Sequence, residues 1–198
     1  MKPIIFSTPM VQAILDGKKT QTRRVIKIDD APENWKISIA GTSIVRTEPY
    51  DVKLPRYAAG DILWVRETFC EVPYEYNHIP IKGGHITIPK YAYKADSERD
   101  YTGIWKPSIH MPREAARIFL MVKAIRAEKL RDISETDAIA EGVNHQWGIN
   151  HNGEKTLEKV CTTVFKELWD SLNEKRGYGW NTNPWVWVIE FEREEVEE

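Results

Sequence analysis

Trp185-Val186-Trp187-Val188-Ile189-Glu190-Phe191 sets Trp185, Trp187, Ile189 and Phe191 in alternation with Val186, Val188 and Glu190. Successive residues of a β-strand point to opposite faces, so this run reads as a strand, with Trp185 and Trp187 in the core. Just upstream, Leu157, Val160, Cys161, Val164, Phe165, Leu168 and Leu172 recur at helical spacing, and Lys175-Arg176-Gly177 closes that helix. Further upstream, Ser134-Glu135-Thr136-Asp137 resembles a capping box and opens a short helix that ends at Gly142. Val143 to Glu154 between the two helices is expected to be a loop. Arg117 to Leu130 is apolar and β-rich at first and reads as a central strand, after a short helical turn at Arg113 to Ala116.

The N-terminal half has the same mixed character. Thr8 caps a helix over Thr8 to Asp16, Pro9 suits its first turn, Met10, Val11, Ile14 and Leu15 form one stripe, and Gly17 ends it. Trp35 to Val45 reads as a hairpin, and the Gly60-Asp61 turn launches a strand over Ile62 to Phe69. A further strand pair is expected around His85 to Lys94. Strands interspersed with three or four separate helices give an α+β fold with a mixed or antiparallel sheet. With 198 residues the chain is expected to be one domain, residues 1–198, carrying insertions near 29–57, 70–103 and 143–154.

Composition excludes several classes. The longest apolar run, Ile118 to Val122, is far short of the ~20 residues of a membrane span. Met1-Lys2-Pro3 leads into no signal-like segment, and two distant cysteines, Cys70 and Cys161, make no disulfide framework. The expectation is a cytoplasmic protein with reduced thiols. Neither cysteine shows a helix N-terminus or basic neighbour to activate it. No phosphate-cradling glycine loop and no paired-histidine helix occurs. His145 and His151 share one loop but carry only a weak metal signal, so neither cofactor nor metal is expected.

The net charge of −2 hides a polarised chain. Glu190 to Glu198 holds six acids against Arg193 alone, whereas Gly17 to Ile28 holds Lys18, Lys19, Arg23, Arg24 and Lys27 with no acid. A basic stretch of this kind can hold a phosphate or a nucleotide. Lys19 and Thr22 are three apart, on one side of any helical or turn-like backbone. Cationic neighbours lower a lysine's pKa, and such a lysine can take the proton of a threonine hydroxyl. Glu141, at the end of a short helix, opposes the helix dipole without visible compensation, which marks it as a site candidate. Arg66 and Glu67 end a strand on opposite faces, and either could reach a cleft or a rim salt bridge. Trp105-Lys106 and Tyr91, Tyr93, Lys94 interleave rings with cations, as base-stacking surfaces do.

Gly17-Lys18-Lys19-Thr20-Gln21-Thr22-Arg23-Arg24 after a short helix resembles the opening motif of the ASCH domain, a relative of the PUA RNA-binding domains. Gly60 to Val65 is similar to that family's Gly-Asp turn, and Ser134 to Gly142 and Trp185 to Phe191 to its later helix and last strand. Trp105 to Arg113 resembles ASCH-type proteins of phages and prophages. The resemblance implies a PUA-like mixed or antiparallel β-barrel with helices closing its ends, and a modified nucleoside or RNA as partner. A compact bacterial branch hydrolyses N4-acetylcytidine. By motif position that implies Thr22 as nucleophile, Lys19 as its base and Glu141 as general acid/base or orienter, with Arg24 a nearby cation for phosphate or carbonyl oxygen; Arg23, Arg66, Glu67 and Trp105 are the further binding candidates that the residues themselves offer. The alternative it implies is a non-catalytic module that binds RNA or a modified base.

Overall fold

The structure, a computed structural model, describes residues 1–27, 38–40, 43–45, 56–73, 78–81, 84–87, 89–96, 104–149 and 155–194. Its strands are β1 (Lys2–Ile5), β2 (Gln21–Val25), β3 (Ser38–Ala40), β4 (Ser43–Val45), β5 (Ile62–Arg66), β6 (Phe69–Glu71) and β7 (His78–Ile81). They continue with β8 (Gly84–Thr87), β9 (Tyr91–Tyr93), β10 (Phe119–Lys129), β11 (Gln146–Ile149), β12 (Lys155–Lys159) and β13 (Trp185–Glu194). Three α-helices accompany them among the described residues: α1 (Thr8–Leu15), α2 (Glu135–Ala140) and α3 (Cys161–Asn173). The fold is α+β with a mixed five-stranded sheet in the order β1-β5-β10-β13-β2, and no closed barrel is found among the described residues. No helix there is long and apolar enough to cross a membrane.

The chain clusters into two compact units: Met1–Asp16 with Ile62–Leu120 and Arg193–Glu198, and Gly17–Asp61 with Met121–Glu192. In the first, β1 pairs in parallel with β5, with Ile4 opposite Val65. Leu63, Trp64 and Val65 are all buried, so this strand is covered on both faces rather than alternating. The strand expected over Ile62 to Phe69 breaks after Arg66, and β6 pairs antiparallel with β9. β7 pairs instead with β8, which corrects the single pair expected around His85 to Lys94. The cap of α1 lies one residue before the expected position, at Ser7.

In the second unit, β13 pairs antiparallel with β2, Ile189 opposite Thr22 and Val188 opposite Arg23. Val186, Val188, Cys161, Phe165, Trp169, Leu130 and Ala138 share one core cluster. Trp187 is buried as expected, while Trp185 is half-buried beneath Lys129, 5.0 Å from the ring centroid. The capping box of α2 is complete: Asp137 N donates to Ser134 Oγ at 3.1 Å, and Ser134 N donates to Asp137 Oδ2 at 3.3 Å. Gly142, at φ 89°, takes the left-handed conformation that stops this helix. Two expectations need correction. The supposed loop contains β11, which forms a hairpin with β12, and Leu157 lies in β12 rather than at the head of the long helix. The expected hairpin near residue 40 is present as β3 and β4; Trp35 and Ile37 lie outside the described residues.

Candidate functional site

The basic segment after α1 is extended, not loop-like. Lys19 forms an isolated antiparallel bridge with Glu141, Thr20 N donates to the Ala140 carbonyl at 2.8 Å, and Phe191 N donates to the Thr20 carbonyl at 2.8 Å. This backbone pairing ties the motif between the end of α2 and β13. It also fixes which side chains meet, because a strand alternates its faces. Lys19, Gln21 and Arg23 all reach α2, where Gln21 Nε2 donates to the Asp137 carbonyl at 2.8 Å and to Asp137 Oδ1 at 3.1 Å. Thr22 is buried on the alternate face, which it shares with Thr20 and the half-buried Arg24. The structure brings Lys19 to Glu141 directly, and in the extended backbone of β2 the three-residue spacing does not act as it would on a helix or turn.

Lys19 Nζ donates to Glu141 Oε2 at 2.7 Å and to the Glu141 carbonyl at 2.8 Å. Arg23 Nη1 donates to the other carboxylate oxygen, Oε1, at 3.1 Å. The lysine and arginine side chains are fully buried and that of Glu141 is 4% exposed. These contacts resolve the anomaly of an acid at a helix C-terminus. Glu141 is the C-cap of α2, and its carboxylate holds an ammonium against the free carbonyl there, so a cation does neutralise the dipole.

The pair belongs to a larger ionic network. Arg23 Nη2 meets Glu128 Oε1 at 2.6 Å and Asp137 Oδ2 at 3.6 Å. Arg126 meets Glu128 at 3.1 Å, Asp137 at 2.8 Å, and also Glu190. The Arg23 guanidinium lies 5.7 Å from the Phe165 ring centroid. Burial pulls the Lys19 ammonium below the usual lysine range, aided by Arg24 and Arg23, while Glu141 pulls the other way. Although burial opposes it, hydrogen bonds from Ser134 and Gln21 and the Arg23 charge hold Asp137 below the usual carboxylate range. Sequence reasoning missed Arg126, Glu128, Asp137 and Gln21 as members. The one available signal was Arg126-x-Glu128, two opposite charges on one face of a strand.

The remaining candidates belong to the other unit. Glu67 is buried and receives Arg117 through Nε at 2.9 Å and Nη2 at 3.1 Å. Burial pushes its carboxyl up despite that partner. Arg117 also reaches Asp96 at 2.7 Å and lies over the Tyr93 ring at 3.9 Å. Burial likewise pushes the Tyr93 hydroxyl up to about 12, and that hydroxyl donates to the Ala115 carbonyl at 2.7 Å. Arg66 donates to the Ile109 carbonyl and lies over the Trp64 ring at 5.5 Å. Trp105 packs on the cluster of Cys70, Val72 and Ala92, so its ring is at least partly committed to the core.

One thiol departs from expectation. Cys161 is the first residue of α3, so it does lie at a helix N-terminus. Burial nevertheless pushes this thiol up, and the Glu135 carboxylate adds to the effect. Compared with known proteins, the chain matches no family model, no curated protein and no solved structure.

Proposed function

We propose that this chain is a cytoplasmic ASCH-type protein with a PUA-like barrel fold that acts on a modified pyrimidine nucleoside, free or in RNA, by removing an acyl group from N4 of cytosine. The observation that carries the reading is the buried Lys19 amine, pulled below the usual lysine range and held 2.7 Å from Glu141. Cleaving an N4-acyl bond needs a nucleophile, a group that takes its proton, and a donor for the departing nitrogen. In this reading the hydroxyl of Thr22 attacks the acyl carbonyl and Lys19 takes its proton. Glu141 relays that proton to the exocyclic nitrogen as the C–N bond breaks. Water then hydrolyses the threonyl ester, returning the carboxylic acid and the free hydroxyl. Arg24, on the Thr22 face of β2, is the cation for phosphate or carbonyl oxygen.

The test is release of cytidine from N4-acetylcytidine, followed chromatographically, with the folded state of each variant checked by circular dichroism. Wild type should turn over. Thr22→Ala and Lys19→Met should each lower kcat by at least about 10²-fold, the smaller end of what a positioned proton acceptor contributes. No turnover over a panel of acylated cytidines, free and in RNA, sinks the hydrolase reading. A second reading is favoured by the alternation of β2, which sets Thr22 on the face opposite Arg23, a direct partner of Glu141: the same residues hold a modified base or RNA without cleaving it. It expects no cytidine release and salt-dependent RNA binding that survives Thr22→Ala and weakens in Arg24→Ala.

A further inference from the structure

Outside the Lys19–Glu141 network, the second unit holds another convergence of chemically distinct groups. Glu135 from the first turn of α2, His145 from the segment before β11, and Cys161 from the head of α3 each offer one ligand atom, all within 4.8 Å of one another. We propose that these three side chains form a site for a divalent cation of the zinc class, with its fourth position left to water.

Three observations support this assignment. First, His145 Nδ1 is shielded from solvent yet has no hydrogen-bond partner; it lies 3.4 Å from Glu135 Oε1 without bonding to it. A buried ring nitrogen without a partner is costly, and a metal supplies the missing contact. Second, the Glu135 carboxylate is aimed and fixed. Cys161 N donates to Oε1 at 2.6 Å and Thr162 N to Oε2 at 3.1 Å, the kind of outer hydrogen bonding that orients a ligating carboxylate. Third, the donor set of one thiol, one imidazole and one carboxylate suits zinc. Bond lengths of about 2.0–2.3 Å in a tetrahedron set ligand atoms roughly 3.3–3.8 Å apart. The trio needs only a small contraction to reach that spacing. Cys161 is fully buried, whereas the side chains of His145 and Glu135 are 36% and 38% exposed, which gives an ion an entry path.

Sequence reading set His145 beside His151 in one loop; His151 lies outside the described residues. Among the described residues the partners of His145 are ten positions before and sixteen after it, a spacing that matches no short ligand motif. A cation here would hold together the start of α2 and the start of α3. Because the thiol must ionise on binding, ligation releases a proton and tightens as pH rises.

The experiment is a titration of the full-length, chelator-treated protein with Co²⁺, followed by displacement with Zn²⁺. One equivalent should produce a thiolate-to-cobalt charge-transfer band that Zn²⁺ abolishes. Cys161→Ser should remove the band, Cys70→Ser should retain it, and His145→Gln should weaken Co²⁺ binding at least about tenfold. His145 is partly exposed and outside the core, so this variant tests ligation without dismantling the fold, and Zn²⁺ should raise the melting temperature of wild type but not of His145→Gln. Absence of the band in wild type overturns the proposal. So does a band that persists in Cys161→Ser, or a melting temperature that Zn²⁺ leaves unmoved.

Discussion

Glu141→Ala is expected to lower the free energy of unfolding by about 3–5 kcal/mol, because it takes a carboxylate away from two buried cations at once. Lys19 and Arg23 each have a fully buried side chain, and each meets a different oxygen of the one carboxylate. The substitution also removes an acid from a helix C-terminus, which alone would gain about 0.3–1 kcal/mol. The buried charges outweigh that gain. Arg23 keeps Glu128 and Asp137, so Lys19 suffers most of the loss. Pairing Lys19→Met with Glu141→Leu should therefore recover much of the stability, since apolar replacement of a buried ion pair is often neutral or better. Urea unfolding of the two single variants and the double variant measures the coupling. A loss below about 1 kcal/mol in Glu141→Ala, the range of exposed pairs, contradicts the burial on which the site depends.

Phe165→Ala should cost a similar amount, about 3–5 kcal/mol, through the cavity left in the core of the second unit. Phe165 is 3% exposed, and its ring lies 6.1 Å from that of Trp169 and 6.4 Å from that of Trp180. It also backs the Arg23 guanidinium, so its loss removes the apolar wall on one side of the ionic network. Phe165→Leu keeps most of the volume and should cost less than half as much, which separates packing from the ring–cation contact. Chemical unfolding reads both variants; equal losses would place the effect in the ring's contacts rather than in its volume.

What the sequence made legible were the elements whose signals are local. The α1 stop at Gly17, the box from Ser134 to Asp137, the Gly60-Asp61 turn and the closing strand each follow from a few adjacent side chains. The head of the long helix was misread because Leu157 and Val160 fit helical spacing as well as they fit an alternating strand ending in a helix cap. From the residues alone Glu141 was legible only as an anomaly; the family resemblance was what set it beside Lys19, which lies 122 residues away in the chain. The relation of Thr22 to Lys19 was conditional for a related reason. Whether Lys19 and Thr22 share a side depends on the backbone, and β13 imposes an extended one by pairing with this segment.

Lys19 also ties stability to pH. Its folded-state value lies below the ordinary 10.5, so the native chain releases this proton while the unfolded chain still holds it. Through that window the lysine makes stability rise with pH, and below it the buried charge is a burden. The decisive measurement is the titration of the Lys19 side chain itself by NMR at its Nζ and Cε. The amine should titrate below the ordinary lysine position, and lower still in Glu141→Gln, where the opposing carboxylate charge is gone. A midpoint at or above that position would mean that the burial of this amine does not make it a base, and would contradict the account at its centre.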